Sequence, residues 1–475
     1  MLSNLIVVKA GGALLTDGAA LRRVSEAVAR RRLRGERLLV VVSALHGVTD
    51  ELERAASLAL DARSGLELVR DVMDRLRRQH EAVAADLPQS AEVRLRLQPE
   101  LDAIERLLTG IRLTGELTPR TRDLVMCHGE RLAVPLVAAG VLAAGADARA
   151  VTSEEAGLVA TGSFRVGACD IAASAPRLSA LDHELFDRVL VLTGYYGVNA
   201  EGDVVLFGRG GSDYTAGAVA AGLRAAGLEL WKDVPGFMSA DPREVPGARL
   251  VPELSFDEAC ELGLYGARIL HPRCLQPLRG LPIDVSVRPV ADVDVVGTRL
   301  IEQRPPGGTP GVVALAARRG VAVVRVQGAA MVNEPGIAGR ILTAMGAARV
   351  NVDAVAASMT SLSFTIASSD ANAARHALLR LHDDGTPGVE DIDVKEGAAL
   401  LGVVGDRVAA DPSLAGRLMA RLGQLGIDVH LVCHGPGDVG LSCALPEGDL
   451  RRALLALHEE FFPARPREPR HARSA

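Results

Sequence analysis

The chain has 475 residues, which is too long for one compact core and predicts two to four domains. Its 48% hydrophobic residues are typical of a globular protein, and a net charge of −6 gives no general attraction to nucleic acid or anionic lipid. With 3% aromatic residues, platforms that stack single-stranded bases are not expected.

The cysteines and the uncharged segments indicate a compartment. The six cysteines include no C-x-x-C pair, which argues against a zinc or thioredoxin-like site and suits reduced thiols. The N-terminal "MLSNLIVVKAGG" lacks the basic region and long apolar run of a signal peptide. Two uncharged runs, residues 132–146 and 354–369, are shorter than the roughly 20 residues that span a bilayer. We therefore expect a cytoplasmic protein with neither nucleic-acid nor membrane partners.

Up to residue 300, short β-branched runs alternate with long amphipathic segments. The predicted strands include residues 5–9, 37–44, 188–197 and 227–234, and the predicted helices include 17–34, 48–80 and 213–226. Residues 90–130 are charged and helix-rich, and predict a pair of outer helices. This alternation predicts an α/β fold with a mainly parallel sheet covered on both faces. Ligands of such sheets bind at the carboxyl ends of strands, where Lys9, Ser43 and Asp233 fall.

The C-terminal third contains an internal repeat. Residues 335–353 align without a gap with residues 412–430, and each copy has a proline, the letters "AGR", an apolar helical stripe and a strand. The repeat predicts two βαββα modules that bury their sheets by pairing. The predicted domains are residues 1–301, 313–397 and 398–462, with a Pro/Gly-rich linker at 302–312 and a polar, disordered tail at 463–475.

Two glycines stand between charged residues in the segment "LFGRGGSDYT". Glycine lets the backbone approach a ligand closely, and N–H groups presented in this way usually bind an anion. A tight surface turn would account for this pair if it stood alone. The segment "VVKAGGALL" adds a lysine at the end of a strand beside two more glycines, in an order that is not that of a Walker loop. Together the two segments indicate a site for an oligophosphate.

Four further segments complete the pattern: "VVVSALHGVTD", "CHGERL", "LWKDVPGFMSADPREVPGA" and "ELGLYGARILHPRCLQP". In order and spacing, all six resemble the aspartate kinase branch of the amino-acid kinase family, from about residue 5 to residue 300. The two modules resemble the paired ACT domains that regulate those enzymes. The resemblance implies an amino-acid kinase sandwich with a mainly parallel central sheet, followed by two ferredoxin-like ACT modules.

The resemblance also implies an activity. The expected reaction is the ATP-dependent phosphorylation of the L-aspartate β-carboxylate to 4-phospho-L-aspartate, the first step of lysine, threonine and methionine biosynthesis. Mg²⁺ would be carried by the nucleotide, and no protein metal ligands are predicted. The ACT modules imply a homodimer or a higher oligomer and control by an amino-acid effector, whose identity stays open. Because the attacking carboxylate has a pKa of about 4, no catalytic base is needed, and catalysis means positioning and charge neutralisation.

By resemblance, several residues take specific roles. Lys9 neutralises the phosphates, Asp213 positions Lys9, and Arg209 binds the α-carboxylate of the substrate. The implied substrate-binding residues are Ser43, Thr49, Glu130, Tyr195, Arg209 and Ser212, with Glu130 accepting the α-ammonium. The implied nucleotide-binding residues are Lys9, Gly11, Gly12, Gly210, Gly211, Lys232, Asp233, Met238, Arg243 and Arg268. The implied effector-binding residues are Met331, Ile337, Val352, Asp353 and Ser358.

The sequence departs from the family pattern at several of these segments. Supporting hydroxyls are absent at Ala13, Leu14 and Ala133, and Lys232 and Pro235 stand where threonine and an acidic residue are usual. Two alternatives therefore stay open: a kinase of the same family that acts on another amino or acyl acid, and a catalytically weakened regulatory homologue. Retained Glu130 and Arg209 argue against the first alternative, and retained Lys9 and Asp213 argue against the second.

Overall fold

The computed structural model describes residues 4–61, 66–266, 269–304, 311–332, 334–406, 408, 411–434 and 439–463. The chain divides into two compact units. Unit 1 comprises residues 1–237, 252–256 and 269–302, and unit 2 comprises residues 238–251, 257–268 and 303–475.

Unit 1 is built on a mainly parallel sheet. In the described residues, its strands are β1 (Leu5–Ala10), β2 (Arg37–Val42), β3 (Ala148–Val151), β4 (Ala160–Thr161), β5 (Ala168–Cys169), β6 (Val189–Thr193), β7 (Tyr196–Val198), β8 (Val204–Leu206), β9 (Gly227–Lys232), β10 (Glu253–Ser255), β11 (Asp284–Pro289) and β12 (Thr298–Ile301). The main sheet has the order β10-β12-β11-β9-β1-β2-β6-β3, in which β11–β12 is the antiparallel pair. Every residue of β2 and β6 is buried, as expected for central strands covered on both faces. The predicted fold class is confirmed.

Helices cover this sheet. Those described in unit 1 are α1 (Gly18–Leu33), α2 (Val48–Leu60), α3 (Leu66–Ala85), α4 (Ser90–Thr114), α5 (Pro119–Met126), α6 (His128–Ala143), α7 (Ile171–Ser179), α8 (Glu184–Asp187) and α9 (Gly211–Gly222). The Asp17 side chain caps α1 by accepting the N–H of Ala20 at 2.8 Å. Residues 119–143 are long and apolar enough to cross a membrane, yet 78% of their most apolar window is buried in the protein, which is typical of core helices.

Two helix predictions were wrong. The helix predicted over residues 48–80 is two helices, α2 and α3, because α2 ends at Leu60. The pair of outer helices predicted over residues 90–130 is instead α4, α5 and the first residues of α6, and α4 packs on α2, α3 and α6 through an apolar stripe that includes Leu97, Ile104 and Ile111. Most charged residues of α4 are exposed, although Glu100 pairs with buried His128 of α6, and their number concealed the period of the apolar stripe.

Unit 2 contains a second sheet. Its described strands are β13 (Gly311–Gln327), β14 (Val355–Ala357), β15 (Ser361–Ala367), β16 (Asp391–Asp406), β17 (Leu431–Cys433) and β18 (Gly440–Pro446). Its described helices are α10 (Phe256–Leu264), whose first residue belongs to unit 1, α11 (Ile337–Ala347), α12 (Ala371–Asp383), α13 (Leu414–Gln424) and α14 (Leu450–Phe461). The strands are antiparallel in the order β14-β15-β13-β16-β18-β17.

The two βαββα modules share the long strands β13 and β16. Residues 321–327 of β13 pair with residues 391–398 of β16, beside the core formed with α11 and α12. Residues 311–318 pair with residues 400–406, beside the core formed with α13 and α14. Each module therefore borrows a strand segment from beyond its own repeat. The predicted domain boundaries stay a prediction, and the predicted tail from residue 464 onward and most of the predicted linker lie outside the described residues.

A buried ion network ties α1 to the main sheet of unit 1. The Glu229 carboxylate on β9 is 4% exposed and pairs with the guanidinium of Arg31 and, at 3.2 Å, with that of Arg288. The same carboxylate accepts the indole N–H of Trp231 at 3.0 Å. Removal of one member from such a network leaves buried charge without compensation.

We predict that Glu229→Gln lowers the free energy of unfolding by about 3–5 kcal/mol, because Arg288 loses its buried counter-charge and Arg31 keeps only that of half-buried Glu36. Urea unfolding of the parent and variant proteins measures this change. Glu92→Gln is the matched control, because Glu92 pairs with Arg96 on the surface of α4, where its side chain is 62% exposed. Equal unfolding midpoints for the two variants would contradict the structural role of Glu229.

Candidate active site

The site begins where β1 and β9 end side by side. In their parallel register Lys9 lies opposite Leu230, and on the other side of β1 it lies opposite Val41 of β2. Lys9 is 5% exposed, so its ammonium leaves the sheet edge within the protein. The carboxyl ends of these strands are the expected position for a ligand in a parallel sheet.

An ion pair joins Lys9 to helix α9. Lys9 Nζ lies 2.7 Å from Asp213 Oδ1, and both residues are buried. Gly210, in the left-handed conformation with φ of 69°, turns the chain into α9 and brings Asp213 into the first turn of that helix. The N–H of His271 donates to Asp213 Oδ2 at 3.3 Å. The predicted neighbours Lys9 and Asp213 are thus in direct contact.

The charge of Asp213 is strongly favoured. Burial alone raises the pKa of its carboxyl, but the ammonium groups of Lys232 and Lys9 outweigh this effect and lower the pKa to about 2. Burial also lowers the pKa of Lys232, against the opposing charge of Asp213. The site therefore holds two lysines around one permanent carboxylate.

Glycine backbone lines the space beside Lys9. A Cβ atom on Gly11 would lie 2.8 Å from Lys9 Nζ, and a Cβ atom on Gly12 would lie 3.0 Å from the carbonyl oxygen of Ala44. A Cβ atom on Gly211 would lie 2.7 Å from Cδ2 of Tyr195. No side chain larger than hydrogen fits these places without displacing a neighbour, so the chain itself forms the wall of the site.

Glu130 places a buried carboxylate near Lys9 at the start of α6. It is 3% exposed, and its Oε1 accepts the N–H of Ala44 at 3.2 Å. Its Oε2 is buried and has no hydrogen-bond partner within the part of the chain that the structure describes. Burial raises the pKa of Glu130 to about 8, although the N–H of Ala44, the charge of Lys9 and the hydroxyl of Ser212 act in the opposite direction. A buried oxygen of this kind fits a cationic ligand group.

Tyr195 adopts an uncommon backbone conformation at the site. Its φ is 82°, in the left-handed region that a tyrosine rarely occupies. The conformation is held from both sides, because the N–H of Tyr195 donates to Thr215 Oγ1 at 3.0 Å and its carbonyl accepts the N–H of Phe207 at 2.8 Å. These bonds fix the chain on both sides of the Gly-Gly segment.

The segment 271–273 also contributes to the site, although the sequence did not predict this role. Besides the His271 bond to Asp213, the guanidinium of Arg273 donates to the carbonyls of Phe207 and, at 2.8 Å, Gly167. It also lies 4.7 Å from the centre of the Tyr214 ring. These contacts hold the loop that carries Arg209. The letters "HPR" stood within a recognised segment, but no local pattern showed that they support this loop.

The remaining predicted site residues have different positions. Ser43 and Thr49 are half-buried near the end of β2 and the start of α2, Ser212 is buried, and Arg209 and Asp233 are exposed. Met238 and Arg243 belong to unit 2, where Arg243 pairs with Asp241 at 2.7 Å. Arg268 lies outside the described residues.

The predicted effector residues lie in unit 2. Ile337 is buried in the core beside α11, and Met331 and Val352 pack against that core. The carboxylate of Asp353 is already paired with Arg318 and accepts the amide of Asn351 at 3.2 Å. Ser358 Oγ lies 2.7 Å from Ser361 Oγ, and neighbouring Met359 is 75% exposed.

In the described parts of the chain, no group of three or more His, Cys, Asp or Glu side chains is placed to hold a metal ion. The positive charge at the site comes from side chains, chiefly Lys9 and Lys232. With its glycine backbone, this arrangement suits a polyanion, and the Glu130 carboxylate nearby suits a cationic group. The site as a whole therefore suits a polyphosphate together with a zwitterionic partner.

Comparison with known proteins agrees with this chemistry. The family model described as amino acid kinase family matches residues 4–288. The chain belongs to the amino acid kinase family. An ACT domain model matches residues 324–380 and 401–461, so the predicted pair of ACT modules is confirmed in this amino acid kinase.

Relatives with a shared name match most of the chain. The aspartokinase of Schizosaccharomyces pombe is 27% identical over 472 residues, which are 93% of this chain and 90% of that protein. The bifunctional aspartokinase/homoserine dehydrogenase of Haemophilus influenzae is 29% identical over 375 residues, but the match covers only 45% of that longer protein. The chain spans about half the length of the bifunctional relatives it matches.

Solved structures extend the similarity. E. coli aspartokinase III in complex with lysine and aspartate superposes with a TM-score of 0.81 and 26% identity, over 97% of this chain and all of that one. The same enzyme in complex with aspartate and ADP gives a TM-score of 0.79 over 96% of this chain. The predicted resemblance to the aspartate kinase branch is confirmed.

The raised pKa of Glu130 predicts a pH-dependent gain in stability for Glu130→Gln. Below a pH of about 8 the folded protein holds this carboxyl neutral, whereas the unfolded chain ionises it near the ordinary value of 4.5. The parent protein therefore loses stability as the pH rises from about 4.5 to about 8, and glutamine does not. We expect the variant to be more stable by about 3 kcal/mol near pH 7 and equally stable near pH 4.5. Urea unfolding across this range measures the difference, and a constant difference would contradict the burial effect.

Proposed function

We propose that the protein phosphorylates the β-carboxylate of L-aspartate with ATP and forms 4-phospho-L-aspartate. The single observation that carries this proposal is the buried Lys9–Asp213 pair at the ends of β1 and β9. Gly11 lies beside the Lys9 ammonium, and in the described residues the nearby Oε2 of Glu130 has no hydrogen-bond partner. The aspartokinase relatives support the same reaction. The product would enter lysine, threonine and methionine biosynthesis, and its soluble substrates agree with a cytoplasmic location.

The proposed step needs no proton transfer. An oxygen of the β-carboxylate attacks the γ-phosphorus of ATP and forms a new O–P bond. The bond between the γ-phosphorus and the oxygen that bridges it to the β-phosphorus breaks. The electron pair of the broken bond stays on ADP. Repulsion between the two anions is the main barrier, so Lys9 acts by neutralising charge and Asp213 by holding Lys9 in place. Mg²⁺ that arrives with the nucleotide supplies additional positive charge.

Recognition of the substrate follows from the remaining groups. The free Oε2 of Glu130 accepts the α-ammonium of aspartate, and Arg209, exposed before α9, binds its α-carboxylate as a guanidinium fork. Ser43, Thr49, Ser212 and Tyr195 complete the substrate side. Gly11, Gly12, Gly210, Gly211, Lys232 and Asp233 serve the nucleotide.

Bound aspartate would change the charge of Glu130. An ammonium next to this buried carboxyl favours its ionised form, so binding releases the proton that the free protein holds below a pH of about 8. The cost of that deprotonation reduces affinity at low pH.

A kinase of another amino or acyl acid is the second candidate, favoured only by the missing hydroxyls at Ala13, Leu14 and Ala133.

Regulation by a small molecule follows from the ACT modules. E. coli aspartokinase III is described in complex with lysine and aspartate, and we extend effector binding to this chain. The effector would lie near Met331, Ile337, Val352, Asp353 and Ser358. Pairing of these modules between two chains would make the protein a homodimer or a larger oligomer.

We predict that Lys9→Ala lowers aspartate-dependent ADP release by orders of magnitude, because the site then lacks the ammonium nearest to Asp213. A coupled assay with aspartate, with glutamate and with no acceptor measures this release. The parent protein is expected to require aspartate, and thermal unfolding of the variant is expected to stay within about 1 kcal/mol of the parent, because the charge of Lys232 still compensates the Asp213 carboxylate. Near-normal turnover in a folded variant would contradict the mechanism.

The matched variant for substrate recognition is Glu130→Gln, which keeps the shape of the side chain. In the same assay it is expected to raise the KM for aspartate much more than the KM for ATP, because only the α-ammonium loses its partner charge. Equal changes in both constants would show that Glu130 does not face aspartate.

Lysine is expected to inhibit weakly or not at all. The Asp353 carboxylate is already paired with Arg318, and Met359 offers no charge to a second ammonium group. Loss of one partner of a buried charge costs roughly 2–5 kcal/mol, which weakens affinity tens- to thousands-fold. A less charged effector such as threonine, or none, suits these residues better. Tight, saturable inhibition in a lysine titration of the aspartate-dependent assay would contradict this placement.

A further inference from the structure

Lysine is rare in this chain although basic residues are not. Of the 53 lysine and arginine residues, only Lys9, Lys232 and Lys395 are lysines. On a surface, where a solvated positive charge is enough, either residue serves, and this chain almost always uses arginine. The two side chains differ where space and geometry matter: an ammonium is a compact point charge, and a guanidinium is a wide planar fork. A lysine retained in the interior therefore indicates a place where the ammonium itself is needed.

Two of the three lysines lie at the same site. In the parallel register of β1 and β9, Lys9 is opposite Leu230, and Lys232 stands two residues beyond Leu230 at the end of β9. Side chains two residues apart on a strand share a face, so Lys9 and Lys232 leave the sheet on the same side, that of Asp213 in α9. From a strand spacing of about 4.8 Å and a rise of about 3.3 Å per residue, their Cα atoms are roughly 8 Å apart.

The backbone at Lys232 is fixed. Its carbonyl accepts the N–H of Val290 at 2.7 Å, and Lys232 pairs with Pro289 at the end of β11. The start of its side chain is therefore held against the edge of the sheet, as that of Lys9 is. This arrangement distinguishes Lys232 from a lysine on a surface loop.

Lys232 differs from Lys9 in its ion pairing. Asp213 lies 2.7 Å from Lys9, and in the described parts of the chain the half-buried Lys232 makes no ion pair within 4.0 Å. Its charge nevertheless reaches Asp213, because it is the foremost influence that lowers the pKa of that carboxyl. The charge of exposed Asp233 acts on Lys232 more weakly than that of Asp213, so two ammonium groups around one buried carboxylate leave positive charge available to a ligand. Such a charge, half-buried at the ends of strands, is stabilised when an anion binds beside it.

We infer that Lys232 is a second phosphate-binding ammonium, which contacts the terminal phosphates of the nucleotide beside Lys9, with Asp213 as the counter-ion between them. The inference rests on the proposed function and adds a catalytic residue to it. Two compact ammonium groups can approach one transferring phosphoryl group from neighbouring strands, where two guanidinium forks would collide. Lys395 provides the contrast: its side chain is 52% exposed, and it lies 3.8 Å from Asp428 on the surface of unit 2.

Because the chain has only three lysines, a lysine-labelling experiment can follow each of them separately. Trace acetylation of the full-length protein, followed by mass spectrometry, reports the reactivity of three lysine side chains separately. We expect saturating ADP to lower acetylation of Lys9 and Lys232 at least about fivefold and to leave Lys395 unchanged. Adenosine, which has no phosphate, is expected to protect neither Lys9 nor Lys232. Inorganic tripolyphosphate is expected to protect both.

Several outcomes would overturn the inference. Protection of Lys9 alone by ADP, or protection of Lys232 by adenosine as well, would show that Lys232 does not face the phosphates, and the proposed function would stand. Binding of no nucleotide by the parent protein would overturn the proposed function together with the inference.

Variants provide a second measurement. Lys232→Met is expected to weaken ADP at least about tenfold in calorimetric titration and to change adenosine binding less than about twofold, since only the phosphates lose a partner. Lys232→Arg is expected not to restore kcat. Lys395→Met is the matched control, with unchanged binding and turnover. Equal weakening of ADP and adenosine would indicate a merely structural role for Lys232 and would overturn the inference. If Lys232→Met fails to fold, the labelling of the parent protein decides the question.

Discussion

The site is organised around the buried ion pair between Lys9 and Asp213. An ion pair of this kind contributes little to stability, because removal of both charges from water costs about as much as their attraction returns. Its value lies in geometry: it joins the end of a central strand to the first turn of a helix. Gly11 keeps the backbone close to the ammonium, and Gly12, Gly210 and Gly211 pack closely against Ala44, His271 and Tyr195.

The surrounding residues hold this pair in position. His271 donates to the second oxygen of Asp213, and Arg273 bonds to the loop before α9. Tyr195 is kept in a left-handed conformation by bonds on both sides, as is typical of strain retained at a functional site. In the described part of the chain, one buried oxygen of Glu130 has no hydrogen-bond partner, and burial raises the pKa of this carboxyl. This environment disfavours the ionised carboxylate by itself and favours it once a cation binds. Glu130 therefore lowers the stability of the folded protein near neutral pH and favours the binding of a cationic group.

The sequence was most informative where chemistry depends on short segments. The sequence predicted three features of the site: Lys9 at a strand end, the Gly-Gly pair, and Asp213 after it. Each lies within a few residues of a strand or helix boundary, so local patterns were enough. The roles of His271 and Arg273 were not readable, since they depend on contacts with residues about 60 to 110 positions earlier in the chain. The shared strands β13 and β16 were missed for the same reason: a repeat shows which segments are alike but not which of them pair.

The most direct test of the account is the chemical identity of the product. Hydroxylamine converts acyl phosphates to stable hydroxamates, so it can trap the product formed from ATP and an amino acid. We expect the protein to form aspartate β-hydroxamate in an ATP-dependent manner, with little hydroxamate from glutamate. Equal amounts from both acids, or ADP release from aspartate without any hydroxamate, would contradict the claim that this site phosphorylates the β-carboxylate of aspartate.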